Sequence, residues 1–397
     1  MGVNILTHKD LSSRCGRGTF PGVRVVVDYR PALRARTGIG EYVHEVARAL
    51  AATSGPSRAL TLFSSSWADR VAAGVPAEIP GAEIVDRRVP VRALTWAWHR
   101  LGWPPIERLA GPCDVVHSPT PLLVPASRAA QVVTVFDLHF LAHPDQVDGA
   151  VRRDFSALAR GHVARADHVI AGSAHAAALV ARELGVPPHK ITSTPLGPPA
   201  WAAEVRAARR PAPDGVFLFI GTLEPRKNVG MLLDAYARLR ARRPDAPALV
   251  VAGRVTGAAR DWLALAATPA LAHHVTIAGY VSDSERRALY ARARAVVVPS
   301  LDEGFGLPAL EAMACGVPVV VSPVGALPEV VGDAGLYAAP DAPAAWAEAL
   351  EACLDGTRAA GMTARGLVRA EHFSWTRAAE ATWAAYEAAR RARKERR

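Results

Sequence analysis

Short runs of Val, Ile and Leu recur along the chain, separated by longer stretches in which apolar residues return every three or four positions. The runs are Val23–Val27, Leu60–Phe63, Val115–His117, Val132–Phe136 and His168–Ala171 in the first half. In the second half they are Val216–Ile220, Leu249–Ala252, Val275–Ala278, Val296–Val298 and Val319–Val321. They are nearly continuous in apolar residues rather than alternating, as a parallel strand covered on both faces requires. Strands that alternate with helical stretches predict right-handed βαβ units and doubly wound parallel sheets, an α/β fold. The halves meet at Pro195–Gly215, where prolines at 195, 198, 199, 211 and 213 predict a linker, with a boundary near residue 205. The expected organisation is a flexible lead-in over 1–21, a Rossmann-like domain over 22–205, a second over 206–370, and a C-terminal segment over 371–397. Two such domains facing across a cleft place ligands at the C-terminal ends of their strands.

Length and composition agree with this. A chain of 397 residues exceeds one ordinary core. With 50% hydrophobic and 21% charged residues it reads as globular, and no apolar run reaches the roughly 18 residues of a spanning helix. The residues before Pro21 have no signal-peptide apolar core, and the four cysteines, Cys15, Cys113, Cys315 and Cys353, form no C-x-x-C pair. Reduced thiols in the cytoplasm and no metal cluster are the expectation. The net charge is +10, much of it in a tail where Arg390, Arg391, Arg393, Lys394, Arg396 and Arg397 oppose only Glu395. Such a tail reads as a solvated helix end, or as a contact with anionic headgroups at the inner face of a membrane. The segment 92–108, with Trp96, Trp98 and Trp103 among basic residues, reads as a helix packing by its tryptophans or as an interfacial contact.

Three motifs carry chemistry. In 299–318, a Gly-containing loop with Glu303, Gly304, Phe305 and Gly306 follows a strand and feeds a helix opening at Leu307-Pro308 and closing near Gly316. Free amides and the dipole at such a helix start attract phosphate. Glu303 and Glu311 flank the turn, and as acceptors for sugar hydroxyls they suit the transferred sugar and the ribose of a nucleotide. In 217–228 the strand ends in Gly221-Thr-Leu-Glu-Pro-Arg226-Lys227-Asn228. Arg226 and Lys227 stand where a diphosphate would lie, and fixed cations there stabilise a leaving diphosphate without a metal. Lys227 is one of only four lysines among 47 basic residues. In 25–43 a strand is followed by Thr37-Gly38-Ile-Gly40 at a helix start; Val43 leaves the G-x-G-x-x-G dinucleotide fingerprint incomplete.

Together these residues resemble the retaining GT-B glycosyltransferases of family four, which include bacterial mannosyl-, glucosyl- and rhamnosyltransferases. The likeness runs from about Arg24 to Tyr386 and is strongest over 216–335. Glu303 to Glu311 matches the family's E-x7-E element, and Gly-Thr-Leu-Glu-Pro-Arg-Lys-Asn is nearly as specific. The resemblance implies diphosphate contacts from Arg226, Lys227 and the Gly38/Gly40 turn, and donor-sugar contacts from Glu303 and the backbone of Phe305, Gly306 and Leu307. It implies a ribose contact from Glu311, base contacts near Val281, and a final helix after Phe373-Ser-Trp375 that crosses back onto the first domain. At one position the chain departs from the family. Where its members have His-Asp at a strand end, this chain has Phe136-Asp137, with His139 in no equivalent place. The missing His implies altered donor choice, slower chemistry or an inactive relative. Asp137 remains to hold the loop or meet the acceptor hydroxyl.

The sequence therefore predicts a cytoplasmic, metal-independent hexosyltransferase with no cofactor, a nucleotide-sugar donor for which GDP-mannose is the leaning, and a glycan or lipid-linked glycan acceptor of the cell envelope or of exported material. A silent nucleotide-sugar-binding subunit and a nucleotide-sugar epimerase are the competing readings. Dispersed basic residues without a recognition motif argue against nucleic acid.

Overall fold

The first sheet grows outward from β1 (Val23–Asp28), which pairs on one side with β2 (Arg58–Ser65) and on the other with β4 (Val115–Ser118). With β3 (Glu83–Arg87), β5 (Ala130–Val135), β6 (His168–Ala171) and β7 (Ile191–Ser193) it makes seven strands in the order β3-β2-β1-β4-β5-β6-β7, all parallel. The second sheet has six parallel strands: β8 (Val216–Ile220), β9 (Leu249–Ala252), β10 (Val275–Gly279), β11 (Ala293–Val298), β12 (Val319–Val321) and β13 (Leu336–Tyr337), in the order β10-β9-β8-β11-β12-β13. Both are doubly wound, with the strand order reversing beside β1 and beside β8. This computed structural model describes residues 22–33, 38–146, 152–209 and 215–397. The lead-in with Cys15, Thr37, and residues 210–214 of the expected linker lie outside the described residues.

Ten of these strands are the apolar runs of the sequence. Fully burying a Val or Leu side chain is worth roughly 1.5–3 kcal/mol, so a central strand must be apolar throughout, as in Val25, Val26 and Val27. The three strands that the sequence did not show, β3, β7 and β13, all lie at sheet edges. They are covered on one face or neither, so Glu83-Ile-Val-Asp-Arg87 and Ile191-Thr-Ser193 carry polar residues that hide the run. Val132–Phe136 is corrected at both ends: β5 begins at Ala130, and Phe136 lies one residue beyond it.

The chain forms two compact units, one of the described residues up to Leu196 together with Trp375–Arg397, the other of Gly197–Ser374. The division lies before residue 205 because the expected linker holds a helix, Ala202–Ala208. Its stretch is free of proline, Ala202 and Val205 are buried, and Arg209 donates to the carbonyls of Gly316 (2.5 Å) and Ala293 (2.7 Å) in the second unit. The last helix, Trp375–Glu395, covers β5, β6 and β7 of the first sheet and packs on the helix Ile39–Ala52. It buries Trp383 and Tyr386, and Trp383 Nε1 donates to Thr53 Oγ1 at 3.0 Å.

The tryptophan-rich segment divides its roles. It holds the helix Val91–Leu101, where Trp98 is buried against Phe63 at 5.8 Å between ring centroids, while Trp96 is 59% and Trp103 54% exposed. Cys113, Cys315 and Cys353 are buried and unpaired, and burial pushes each thiol up to about 12. Among the described residues no helix is long and apolar enough to cross a membrane.

Candidate active site

In the second unit the reversal of strand order falls between β8 and β11, and the two richest motifs follow those two strands. After β8, Pro225–Lys227 makes a single tight helical turn, with proline at its start to fix φ. Asn228 then adopts a left-handed conformation (φ 57°), the only non-glycine to do so among the described residues. Its Nδ2 donates to the carbonyls of Pro299 (3.1 Å) and Pro340 (2.7 Å), which offsets the strain and stops the turn before the helix Val229–Arg242. The Leu301 amide donates to the Arg226 carbonyl at 2.8 Å, tying the β8 turn to the loop after β11.

That tie brings three predicted residues together. Lys227 Nζ lies 2.5 Å from Glu303 Oε1, and Arg226 lies 3.5 Å from Glu303 Oε2. Ser300 Oγ donates to Oε1 at 2.8 Å. Arg226 is itself aimed by Glu224 at 2.8 Å and by the Asp302 carbonyl at 3.1 Å. Glu303 is only 5% exposed. Burial would raise its pKa, but Lys227 and then Arg226 outweigh it and hold the carboxyl below the ordinary range. It is thus an acceptor for hydroxyl protons rather than an acid. Gly325 (φ +58°) backs this loop: a Cβ there would stand 2.4 Å from the Glu303 carbonyl oxygen, so only glycine fits.

Gly306 (φ +96°) turns the chain into the helix Leu307–Ala314, and a Cβ on it would meet Leu327 at 2.7 Å. Phe305 points its ring away, edge-on to Phe373 at 5.8 Å, so what the Phe305–Leu307 turn presents is backbone at the positive end of a helix. Glu311 is the fifth residue of that helix and therefore not a first-turn partner of its dipole. Its carboxylate, 1% exposed, accepts from Arg286 and from Tyr290 Oη at 2.6 Å. Arg286 is backed by the Trp201 ring at 5.3 Å. It belongs to the helix Asp283–Arg292, opened by a capping box in which Ser282 Oγ accepts from the Glu285 amide (3.3 Å) and the Glu285 carboxylate accepts from the Ser282 amide (2.7 Å). Half-buried Val281 immediately precedes this cap, so Arg286 joins the Val281 turn to Glu311.

The remaining predicted residues belong to the first unit. Gly38 (φ +54°) precedes the helix Ile39–Ala52, whereas Gly40 is buried inside it and is not part of a turn. From that helix Tyr42 bonds Thr134 Oγ1 at 3.2 Å; Thr134 meets His117 Nε2 at 2.7 Å, and His117 Nδ1 meets Tyr386 Oη at 2.8 Å. Burial pulls His117 down to about 3 and pushes Tyr42 up to about 12, so this chain of groups is neutral. Phe136 stands edge-on to Tyr42, 4.7 Å between centroids. It also lies over Gly172, where a Cβ would come within 2.6 Å of its ring. The position where the family has a histidine is thus filled by a ring seated on a glycine. Asp137 accepts from the His139 amide at 3.1 Å and holds the following turn.

Ser300, Asn228, Glu224 and Asp302 support the ion pairs and lie inside or beside the quoted motifs. Arg286, Tyr290, Tyr42, His117 and Gly172 carried no local signal, because each acts through a partner far away in sequence.

Two family profiles match the chain: "Glycosyl transferase 4-like domain" over residues 37–197 and "Glycosyl transferases group 1" over residues 214–356. Over 175 residues the chain is 46% identical to O-antigen chain mannosyltransferase B of Escherichia coli, covering 44% of this chain and 46% of that protein. It is 35% identical over 294 residues to glycogen synthase of Mycobacterium tuberculosis, covering 70% of this chain and 69% of that one. The matches to the mannosyltransferase and to D-inositol 3-phosphate glycosyltransferase of Stackebrandtia nassauensis span about half the length of each, 46% and 54%. Among solved structures, sucrose-phosphate synthase from Thermosynechococcus elongatus superimposes with a TM-score of 0.72 at 22% identity, over 92% of this chain and 98% of that one. WaaG, a glycosyltransferase involved in lipopolysaccharide biosynthesis, does so with a TM-score of 0.68 at 17% identity, over 91% and 98%. These structural likenesses show the GT-B fold.

Proposed function

The chain belongs to the group 1 glycosyltransferases, and on that premise we propose that it transfers a hexose from a nucleotide-diphosphate sugar to an acceptor hydroxyl with retention of anomeric configuration. The observation that carries this reading is the Glu303–Lys227–Arg226 cluster at the β8/β11 reversal, an anionic hydroxyl acceptor held against two fixed cations. In the reaction the bond from the anomeric carbon to the diphosphate oxygen breaks, and the electron pair leaves with the diphosphate. The acceptor oxygen bonds the same carbon, and its proton passes to a diphosphate oxygen. An ammonium has three donors, so Lys227 can keep Glu303 and still bind the leaving diphosphate; Arg226 adds a second charge. Glu303 orients the sugar hydroxyls, and the Phe305–Leu307 backbone meets the sugar. Glu311, relayed through Arg286, takes the ribose side, and Val281 the base.

GDP-mannose is the donor we favour, supported by the identity to a mannosyltransferase of O-antigen chains. The acceptor class is a cell-envelope or exported glycan, or its lipid-linked precursor, met at the cytoplasmic side of the membrane. The decisive experiment offers GDP-, UDP-, dTDP- and ADP-sugars in excess chelator and follows nucleoside diphosphate release and product anomer. Turnover of one donor with a retained anomer is expected. Full loss in chelator with rescue by a divalent ion would overturn the role of Arg226 and Lys227. Donor binding without any turnover would favour the silent sugar-binding subunit, the reading that Phe136 supports.

A further inference from the structure

A cavity of about 520 Å³ opens in the first unit near the N-terminal ends of its strands, opposite to the ends that carry Phe136 and Asp137. Six cations line it: Arg24 from the start of β1, Arg128 from the loop before β5, and Arg390, Arg393, Lys394 and Arg397 from the end of the last helix and the residues after it. Two carboxylates face them, and both are already committed to the local backbone. Glu107 accepts from the amides of Ser127, Arg128 and Ala129 at 2.8–3.1 Å. Burial would raise its pKa, yet those amides hold it below the ordinary range, so it stays an anion bound to its own turn. Asp114 accepts from the Arg24 amide at 2.9 Å and from Arg24 Nε at 3.5 Å.

Basic residues at a helix C-terminus are ordinarily explained by the helix dipole, and Arg393 and Lys394 sit in that last turn. The dipole does not account for Arg24 and Arg128, which come from other elements and converge on the same cavity. Nor does it account for Arg393 Nε, which is buried without a hydrogen-bond partner. The floor is fixed rather than trailing: Asp167, fully buried, pairs with Arg396 and stands 3.9 Å from Arg393. Arg397 donates to the Arg128 carbonyl at 2.6 Å. Converging guanidinium groups with spare donors suit oxygens that share two negative charges, and phosphate offers both.

We infer that this cavity is a phosphate-binding site, separate from the donor site, for a phosphomonoester or diphosphate group carried by a lipid headgroup or by a soluble ligand. The test uses the full chain carrying Lys227→Ala, which weakens phosphate binding at the donor site, and reads only the difference made by the further substitutions. It compares this chain with one that also carries Arg393→Ala, Lys394→Ala and Arg397→Ala. One arm titrates inorganic pyrophosphate by calorimetry; the other sediments vesicles of phosphatidic acid in phosphatidylcholine. Binding in at least one arm, weakened about tenfold or more by the triple substitution at unchanged melting temperature, is the expected result. Pyrophosphate binding alone identifies a soluble source, and vesicle binding alone a headgroup. No binding in either arm, or binding that the triple substitution leaves intact, overturns the site. Because Lys227 is absent throughout, neither outcome depends on the transfer reaction.

Discussion

The two sheets share one winding rule, yet their strand ends are furnished in opposite ways. At β4 and β5 of the first unit, His117, Thr134, Tyr42 and Tyr386 form a buried relay of neutral hydrogen bonds. At β8 and β11 of the second, buried carboxylates meet cations: Glu303 with Lys227 and Arg226, and, one helix further, Glu311 with Arg286. A buried charge is tolerated only when paired, and the pair repays its desolvation only with good geometry. Two sheets with one winding rule thus keep a neutral interior in one unit and bear costly ion pairs in the other.

The sharpest way to break this contrast is to remove the more deeply buried of these two carboxylates. Glu311→Ala leaves the Arg286 guanidinium without its carboxylate, and an unfolding loss of about 3–5 kcal/mol is expected in denaturant titration. Thr134→Val in the neutral relay should cost less, about 1–3 kcal/mol; equal costs would dissolve the distinction. Lys227→Ala comes next. Turnover of the active donor should fall by about 10²-fold or more, read as kcat/KM. The stability loss should be smaller than for Glu311→Ala, because Arg226 and Ser300 still hold Glu303. Wild-type turnover would remove Lys227 from the chemistry.

Acid separates the regions by the pH at which each begins to lose stability. His117 titrates near 3 when folded and near 6.5 otherwise, so between those values only the unfolded chain takes the proton. Its contribution is whole above about 6.5 and declines as pH falls, by at most about 1.4 kcal/mol per pH unit. Glu303, with its folded pKa depressed, loses its contribution only as pH falls from the ordinary carboxylate value toward its lower folded value. Protection factors, with the intrinsic pH dependence of exchange divided out, should thus fall in β4 and β5 at pH 5.5 relative to pH 7, while those of β8 and β11 hold; the same fall in both sheets would refute the assignment. The smallest effect is expected at Phe136. Phe136→His should shift the ratio of kcat/KM between two donors by about tenfold, since a site that hydrogen-bonds discriminates more sharply than an apolar wall. Gly172→Ala, whose methyl would push into the Phe136 ring, should lower turnover without that shift. If the native chain turns over no donor and Phe136→His alone restores activity, the site has decayed.

What was legible in the sequence follows from range. Glu303, Arg226 and Lys227 announced themselves because their loops are short, glycine- or proline-marked and placed at the ends of apolar runs. Central strands were legible because burial on both faces forbids polar residues; β3 and β7 were not, because an edge strand is under no such constraint, and β13 was not because it is only two residues long. Residues 195–215 read as a linker because five prolines punctuate them, yet Ala202 and Val205 bury themselves in a helix between the prolines. The partners Arg286, Tyr290, His117 and Tyr386 were invisible for a different reason. A hydrogen bond such as that from His117 to Tyr386 spans 269 positions of chain, and nothing local marks either end.

That last span has a consequence for how the protein is made. Trp375–Glu395 is the cover of β5, β6 and β7, and it carries the Tyr386 that completes the His117 relay. A ribosome therefore finishes every strand of both sheets before the first unit can close. A nascent chain stalled at Ser374 holds all residues of the second unit, while the first still shows water the apolar face awaiting Trp383 and Tyr386. Synthesis order and folding order are thus inverted for the two units. Chaperone occupancy measured along translation should be longest on the domain that was begun first.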